Sequence, residues 1–99
     1  MLLHLGEDRV IRLSEVVALL DYSIFRRNPV NKEFLGLARS EARLERGTEA
    51  HPVETVVLAG PRVLLSSLSR HALARRAAGA WRRSPRQRSS HPGAEPGGR

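Results

Sequence analysis

Several residue types that identify common kinds of protein are scarce in this sequence. It contains no cysteine, which excludes a disulfide framework, a thiol nucleophile and a cysteine-based zinc site. Its longest apolar runs, such as residues 16–20, fall far short of the roughly 18 residues that cross a bilayer. The N-terminus lacks a basic start, a long apolar stretch and a small-residue cleavage site, so it does not resemble a secretory signal. We therefore expect a cytoplasmic protein without a membrane segment.

Recognisable catalytic and ligand-binding motifs are absent as well. The sequence has no phosphate-binding loop and no dinucleotide fingerprint, and we interpret Glu7-Asp8 as a polar turn rather than an acid pair. Ser66, Ser67 and Ser69 lie where the end of a strand and a helix cap need hydroxyl groups. The histidines are too far apart in sequence for a local metal site; they are His4, His51, His71 and His91. We therefore expect no cofactor, no metal and no enzymatic activity.

The charge of the chain is strongly basic and unevenly distributed. The full sequence has 17 basic and 10 acidic side chains, for a formal net charge of +7. Residues 1–68 carry nine of each kind and are neutral, whereas residues 69–99 carry eight arginines and one glutamate. A basic run without acids attracts nucleic acid or another anionic surface without sequence specificity. The net positive charge of the chain therefore lies within residues 69–99.

Composition divides the chain near Ala78. Up to that residue, apolar side chains recur at regular spacing, as is typical of one small folded domain. Residues 79–99 are rich in Arg, Pro, Gly and Ser, and Trp81 is their only large apolar side chain. Such a segment buries too little apolar surface to offset the entropy lost on ordering its backbone. We predict a folded domain over residues 1–78 and a disordered tail over residues 79–99.

The apolar pattern of the domain predicts an α+β fold. Gly60-Pro61 predicts a tight hairpin between two β-type runs. The order β-β-β-α-β-β-α, in which strands follow one another along the chain, indicates a small antiparallel β-rich domain with two helices. The predicted strands cover residues 2–5, 9–13, 15–22, 53–59 and 62–66.

Two helices have sequence signals at their ends. Asn28 and Pro29 predict the start of a helix that stops near Gly47, with Leu44 on its apolar face. A serine at position 67 or 69 begins a second helix, which we expect to stop at Gly79.

Basic side chains of the domain form the first set of candidate nucleic-acid contacts. Arg26 and Arg27 precede the first predicted helix, and we place Lys32, Arg39 and Arg43 on one side of it. Together they fit a stripe that faces phosphates. Glutamates at positions 33, 41 and 45 are interspersed among them, so the alternative is a solvated helix face that binds nothing.

The C-terminal arginines form the second set of candidates. Arg75, Arg76, Arg82 and Arg83 lie close together, and no acid occurs from residue 70 to residue 88. Trp81 is a candidate for stacking on a base. The alternative is a biased terminal extension without a particular partner, because arginine is preferred along the whole chain, which has one lysine.

Short apolar blocks in a fixed order resemble the DUF370 family, the extracellular matrix regulators of biofilm-forming bacteria. The resemblance covers residues 1–76 and leaves the tail without a counterpart. The opening His4-Leu5-Gly6 and the short hairpin at Gly60-Pro61 are more similar to the RemB branch than to the RemA branch. The blocks are residues 3–6 (LHLG), 10–13 (VIRL), 16–21 (VVALLD), 32–35 (KEFL), 38–39 (AR), 56–58 (VVL) and 63–66 (VLLS).

The resemblance implies a fold similar to a LytTR DNA-binding domain and assembly into a ring-like oligomer. It also implies transcription regulation, since the RemA branch is a DNA-binding activator whose DNA contacts depend on arginines. One of these arginines belongs at the start of the third strand, where this sequence has Glu15. An arginine pair before the hairpin corresponds to His51-Pro52. A glutamate repels phosphate, so the chain departs from the DNA-binding pattern of that branch.

Two functions are consistent with these observations. The first is a non-enzymatic regulatory protein of the RemB type, a homo-oligomer that contacts double-stranded DNA through arginines of the helix face and the tail. The second is a protein-interaction or scaffold module without specific DNA binding, which the neutral charge of residues 1–68 and Glu15 favour. We expect neither a membrane nor a small-molecule substrate as a partner.

Overall fold

The computed structural model describes residues 1–47 and 49–82, which form two β-sheets and three α-helices. Residues 83–99 of the predicted disordered tail lie outside the described residues. In chain order the elements are β1 (Leu2–Gly6), β2 (Arg9–Arg12), a 3₁₀ turn (Leu13–Glu15), β3 (Val16–Asp21), α1 (Tyr22–Phe25), α2 (Pro29–Ser40), β4 (Leu44–Arg46), β5 (Thr55–Ala59), β6 (Arg62–Ser66) and α3 (Arg70–Arg82).

The larger sheet has four strands in the order β3-β5-β6-β4. Strand β5 pairs antiparallel with both β3 and β6, and β4 runs parallel to β6. Strands β1 and β2 form a separate antiparallel pair. The predicted α+β class is therefore confirmed, while the main sheet is mixed because β4 joins it in parallel.

Side chains alternate between the two faces of the main sheet, and each face has its own core. Val57 and Leu64 project to one face, where they pack with α3 and the inner side of the β1–β2 pair. Val56 and Val63 project to the other face, where they pack with α1 and α2. The sheet therefore separates α3 and β1–β2 on one side from α1 and α2 on the other. The buried residues of the two cores are Leu3, Leu5, Ile11, Val57, Ala59, Leu64 and Leu73, and Ala38, Val56, Val63 and Leu65.

Local turn and cap signals in the sequence correctly predict two features of the fold. The Asn28 side chain accepts a hydrogen bond from the Val30 N–H at 2.8 Å, and Pro29 occupies the first helical position of α2. Gly60-Pro61 connects β5 to β6 as a two-residue turn in which Gly60 has a φ of 57°. Both signals act through a few neighbouring residues, so the sequence contains all the information that they need.

Helix α2 is shorter than the sequence predicts. It ends at Ser40 rather than near Gly47, and Ala42 then adopts a left-handed φ of 60°. Leu44 pairs with Val63 in β4, so its predicted place on the helix is wrong. The predicted order of elements accordingly lacks β4, because parallel pairing with a distant strand leaves no local signal in three residues.

A further short helix, α1, is also missing from the predicted order. Asp21 caps it, because one carboxylate oxygen accepts hydrogen bonds from the Ser23 hydroxyl at 2.7 Å and the Ile24 N–H at 3.1 Å. These hydrogen bonds, the Ser23 bond foremost, lower the pKa of the Asp21 carboxyl below its ordinary value.

Helix α3 begins as predicted and ends later than predicted. The Ser69 hydroxyl accepts a hydrogen bond from the Ala72 N–H at 3.0 Å, which makes Ser69 the cap. The helix continues through Gly79 to Arg82, so the expected stop at Gly79 is wrong. Ala80, the residue after Gly79, is buried, although a glycine within a helix costs about 1 kcal/mol relative to alanine.

Candidate nucleic-acid interface

One end of the main sheet carries an ion-pair network centred on Arg62. Its Nε and Nη2 donate hydrogen bonds to the two carboxylate oxygens of Glu45 at 2.7 and 2.9 Å. Its Nη1 lies 3.8 Å from a carboxylate oxygen of Glu15. The hydrogen bonds from Arg62 lower the pKa of the Glu45 carboxyl below its ordinary value. Glu15, at the position where the family resemblance implies a DNA-binding arginine, is thus part of a network with more acids than bases.

Among the basic candidates of the domain, Arg43 has a guanidinium that is hydrogen-bonded to two other residues of the fold. Its Nε donates a hydrogen bond to the Glu41 carboxylate at 2.8 Å, and its Nη1 donates one to the Pro61 carbonyl oxygen at 2.9 Å. The guanidinium therefore connects the end of α2 to the β5–β6 turn. Because α2 ends before this residue, Arg43 does not share a helical face with Lys32 and Arg39.

The other domain candidates lie on the α1–α2 side of the sheet. Lys32 and Arg39 are exposed and seven residues apart on α2, which places them on one flank of the helix. Arg26 and Arg27 are exposed at the end of α1, and the Arg26 guanidinium lies 5.6 Å from the centroid of the Tyr22 ring.

Arg9 is a basic residue that the sequence patterns did not single out and that the fold largely encloses. Its Nη2 donates a hydrogen bond to the Leu65 carbonyl oxygen, and the same nitrogen lies 3.7 Å from the Glu7 carboxylate. Only 19% of its side chain is exposed. Arg9 therefore connects β2 to β6 and presents little charge to a ligand.

The arginines of α3 differ from these engaged residues. Arg70, Arg75 and Arg76 are exposed, and no ion pair joins any of them to a carboxylate within residues 1–47 and 49–82, although the charge of Arg70 contributes to lowering the pKa of the Asp21 carboxyl. Arg76 donates a single hydrogen bond from Nη1 to the His4 carbonyl oxygen at 3.3 Å. The helix contains no acidic residue along its whole length. Its positive charge is therefore available to an anion.

Three candidates of the C-terminal set can be placed only in part. Trp81 and Arg82 belong to the last turn of α3, and their side chains are outside the described part of the structure. Arg83 lies outside the described residues altogether.

The structure does not bring the two candidate sets together. Helix α2 packs on one face of the main sheet through Ala38, and α3 packs on the opposite face through Leu73. Lys32 and Arg39 therefore lie on one side of the molecule, and Arg75 and Arg76 on the other. A single surface contains at most one of the two sets.

The α3 side holds two further polar residues that sequence reasoning missed. His4 of β1 and Arg12 of β2 are exposed on the side of the hairpin that faces away from the core. The available signal was the alternation of apolar and polar residues along both strands, which predicts one outward-facing side.

Other kinds of site have no support in the described residues. Among residues 1–47 and 49–82, no group of histidine, aspartate and glutamate side chains is arranged to hold a metal ion. None of the helices described has the length and apolar character needed to cross a membrane. No family model matches the chain, and no curated protein sequence matches it.

Proposed function

We propose that this chain is a non-enzymatic regulatory protein similar to the RemB-type extracellular matrix regulators, and that it binds double-stranded DNA as a homo-oligomer. The observation that carries the proposal is the set of exposed arginines on α3 without ion pairs in the described residues. Phosphate contacts by such side chains supply most of the non-specific affinity of a protein for DNA. Arg75 and Arg76 bind phosphates in this proposal, and Trp81, Arg82 and Arg83 are further candidate contacts from the sequence alone.

The proposal shifts DNA binding away from the surface that the RemA branch uses. The Glu15–Arg62–Glu45 network at the start of β3 carries a net negative charge and repels phosphate. Arg43, which lies two residues before Glu45 in the chain, is already engaged by Glu41 and Pro61. The α3 side of the sheet is therefore the better phosphate-binding surface of this chain.

The family resemblance adds two finer elements to the proposal, a LytTR-like arrangement and a ring-like assembly. Support for assembly comes from β3, an edge strand that carries no charged side chain before Asp21. The pairing of β3 with β5 shifts register between Val16 and Ala18, and the apolar residues 18–20 beyond this irregularity form an edge that is a template for pairing with another chain. Val17 on this strand is 74% exposed. A second copy that pairs with β3 covers both the unpaired strand edge and the exposed Val17 side chain.

The test is DNA binding by the full chain across a salt series, with a matched variant in which Arg83, Arg86 and Arg88 are replaced by serine. A chain that ended at Ala78 would not serve, because it would lose the buried Ala80. We expect the serine variant to retain binding, with the logarithm of the affinity falling linearly with the logarithm of salt concentration. Absence of binding by both proteins would contradict the proposal, and binding by the full chain alone would assign the affinity to the tail.

Exposed apolar side chains favour a second candidate function, a protein-interaction module without specific DNA binding. Val30 and Leu37 on α2 are 68% and 58% exposed, and they lie seven residues apart on one flank. In this candidate function, these two side chains pack against another protein, as larger exposed apolar patches commonly do. The same salt series separates the two candidates, because this module binds DNA no better than an unrelated protein does.

A further inference from the structure

The β1–β2 hairpin has an outer face that neither the cores nor the candidate sets use. Its antiparallel register places Leu2 opposite Arg12 and His4 opposite Val10, and residues directly opposed across two strands project to the same side. Leu2 and Val10 are 54% and 40% exposed, although the alternate residues of both strands are buried in the core. We term these four side chains the ribbon face.

A groove of about 330 Å³ lies between β1 and α3, next to the ribbon face. Leu2 and His4 line the groove from the strand, and Arg75 and Arg76 line it from the helix. The hydrogen bond from Arg76 Nη1 to the His4 carbonyl oxygen places its guanidinium at the edge of the hairpin. The ribbon face and the basic side of α3 therefore form one continuous surface.

The charge of this surface is positive over most of its extent. Arg12, Arg75 and Arg76 are exposed, and none of them forms an ion pair with a carboxylate in the described part of the chain. The acids of the hairpin, Glu7 and Asp8, lie at its turn, at the far end from Arg12. Charge complementarity therefore favours a polyanion over a neutral or basic protein as the partner.

The geometry points to insertion of the ribbon face into the major groove of double-stranded DNA, an inference that rests on the proposed DNA-binding function. The major groove is about 12 Å wide and admits a two-stranded β-ribbon. Arg12 supplies the forked donors that pair with O6 and N7 of guanine, and Leu2 and Val10 supply apolar contacts to thymine methyl groups. Arg75 and Arg76 bind the phosphates that border the groove and fix the register of the ribbon.

The experiment measures the affinity of the full chain for the tightest-binding duplex selected from a randomised pool of duplexes of about 30 base pairs. We expect Arg12→Ala to weaken binding roughly tenfold, since a bidentate contact to guanine is lost. Replacement of guanine by 7-deazaguanine removes an acceptor only from the major groove, and it should weaken the wild-type protein much more than the Arg12→Ala variant. Arg39→Ala removes the same charge on the opposite side of the sheet, and it should leave the affinity within about twofold because of salt screening.

Each remaining outcome decides the inference. Arg12→Ala and 7-deazaguanine could leave the affinity unchanged while Arg75→Ala/Arg76→Ala weakens it. In that case the DNA-binding function stands, and insertion of the ribbon face into the major groove is wrong. If the wild-type chain binds no duplex, the proposed function and the inference both fail. A Leu2→Ser variant that lowers the mass of the oligomer would identify the ribbon face as a contact between copies and contradict the inference. Circular dichroism melting checks that each exposed substitution preserves the fold.

Discussion

At the scale of single residues, the fold divides one residue type between two roles. The guanidinium groups of Arg9, Arg43 and Arg62 hydrogen-bond to carbonyl or carboxylate oxygens of other elements. Those of Arg70 and Arg75 lie on the surface of α3 without an ion pair among the described residues. All five arginines contribute equally to the formal net charge, whereas a phosphate is attracted mainly by the arginines on α3. The formal net charge of +7 therefore does not show which of the arginines are available to a ligand.

Ser66 is a buried residue whose hydroxyl joins three parts of the chain. It donates a hydrogen bond to the Leu5 carbonyl oxygen at 2.7 Å and accepts one from the Leu68 N–H at 3.1 Å. Ser66→Ala should lower the free energy of unfolding by about 1–3 kcal/mol, because both partners lose their hydrogen bond within the core. Ser40→Ala is the matched control at an exposed site and should change it by less than about 0.5 kcal/mol. Urea unfolding measures both, and equal effects would contradict the assigned role.

The Glu45–Arg62 pair makes stability depend on pH in a defined direction. Because the folded-state pKa of Glu45 is lowered from its ordinary value of 4.5, its contribution is present above that pH and is lost as pH falls through the folded-state value. Both side chains are about 40% exposed, so screening keeps the contribution below about 1 kcal/mol. We predict that Glu45→Gln is less stable than wild type at neutral pH and that the difference shrinks in acid. Urea unfolding at several pH values tests this, and a difference independent of pH would contradict it.

At the scale of elements, short-range signals in the sequence predict more than long-range ones. The Asn28 cap and the Gly60-Pro61 turn depend on adjacent residues and are correct. Strand β4 was missed because Leu44 continues the apolar spacing of α2, and only its parallel pairing with β6 makes it a strand. The candidate site follows the same rule. The sequence shows that arginines are present, but their distribution over two faces depends on which core each helix buries.

Two glycines provide a paired test of the local backbone. Gly60 has a φ of 57°, so Gly60→Ala should destabilise the protein by roughly 1–2 kcal/mol through the left-handed strain on a Cβ-bearing residue. Gly36 lies within α2, where an added Cβ meets no atom within 4 Å. Gly36→Ala should therefore stabilise the protein by about 0.5–1 kcal/mol through helix propensity. Thermal unfolding of both variants checks the opposite signs, and shifts of the same sign would contradict the backbone assignments.

At the scale of the whole molecule, the main sheet separates a mixed-charge side from a basic side, and within the described residues one edge of β3 is not paired with another strand. If copies assemble through that edge, a charge on it should disrupt the assembly. We predict that light scattering gives a mass several times the 11.0 kDa of one chain, and that Val17→Lys lowers this mass. Val30→Lys, a comparably exposed valine on α2, should not lower it. A wild-type mass of 11.0 kDa at micromolar concentration would contradict the assembly.

The proposed function assigns DNA binding to the α3 side of the sheet. Its most direct test is the salt dependence of duplex binding by two double variants of the full chain, Arg75→Ala/Arg76→Ala and Lys32→Ala/Arg39→Ala. Each variant loses two positive charges, but on opposite faces of the sheet. We predict that the slope of log affinity against log salt becomes shallower by about 1.8 in the α3 variant, at 0.9 for each lost phosphate contact, and is unchanged in the α2 variant. A shallower slope in the α2 variant with no change in the α3 variant would contradict the claim.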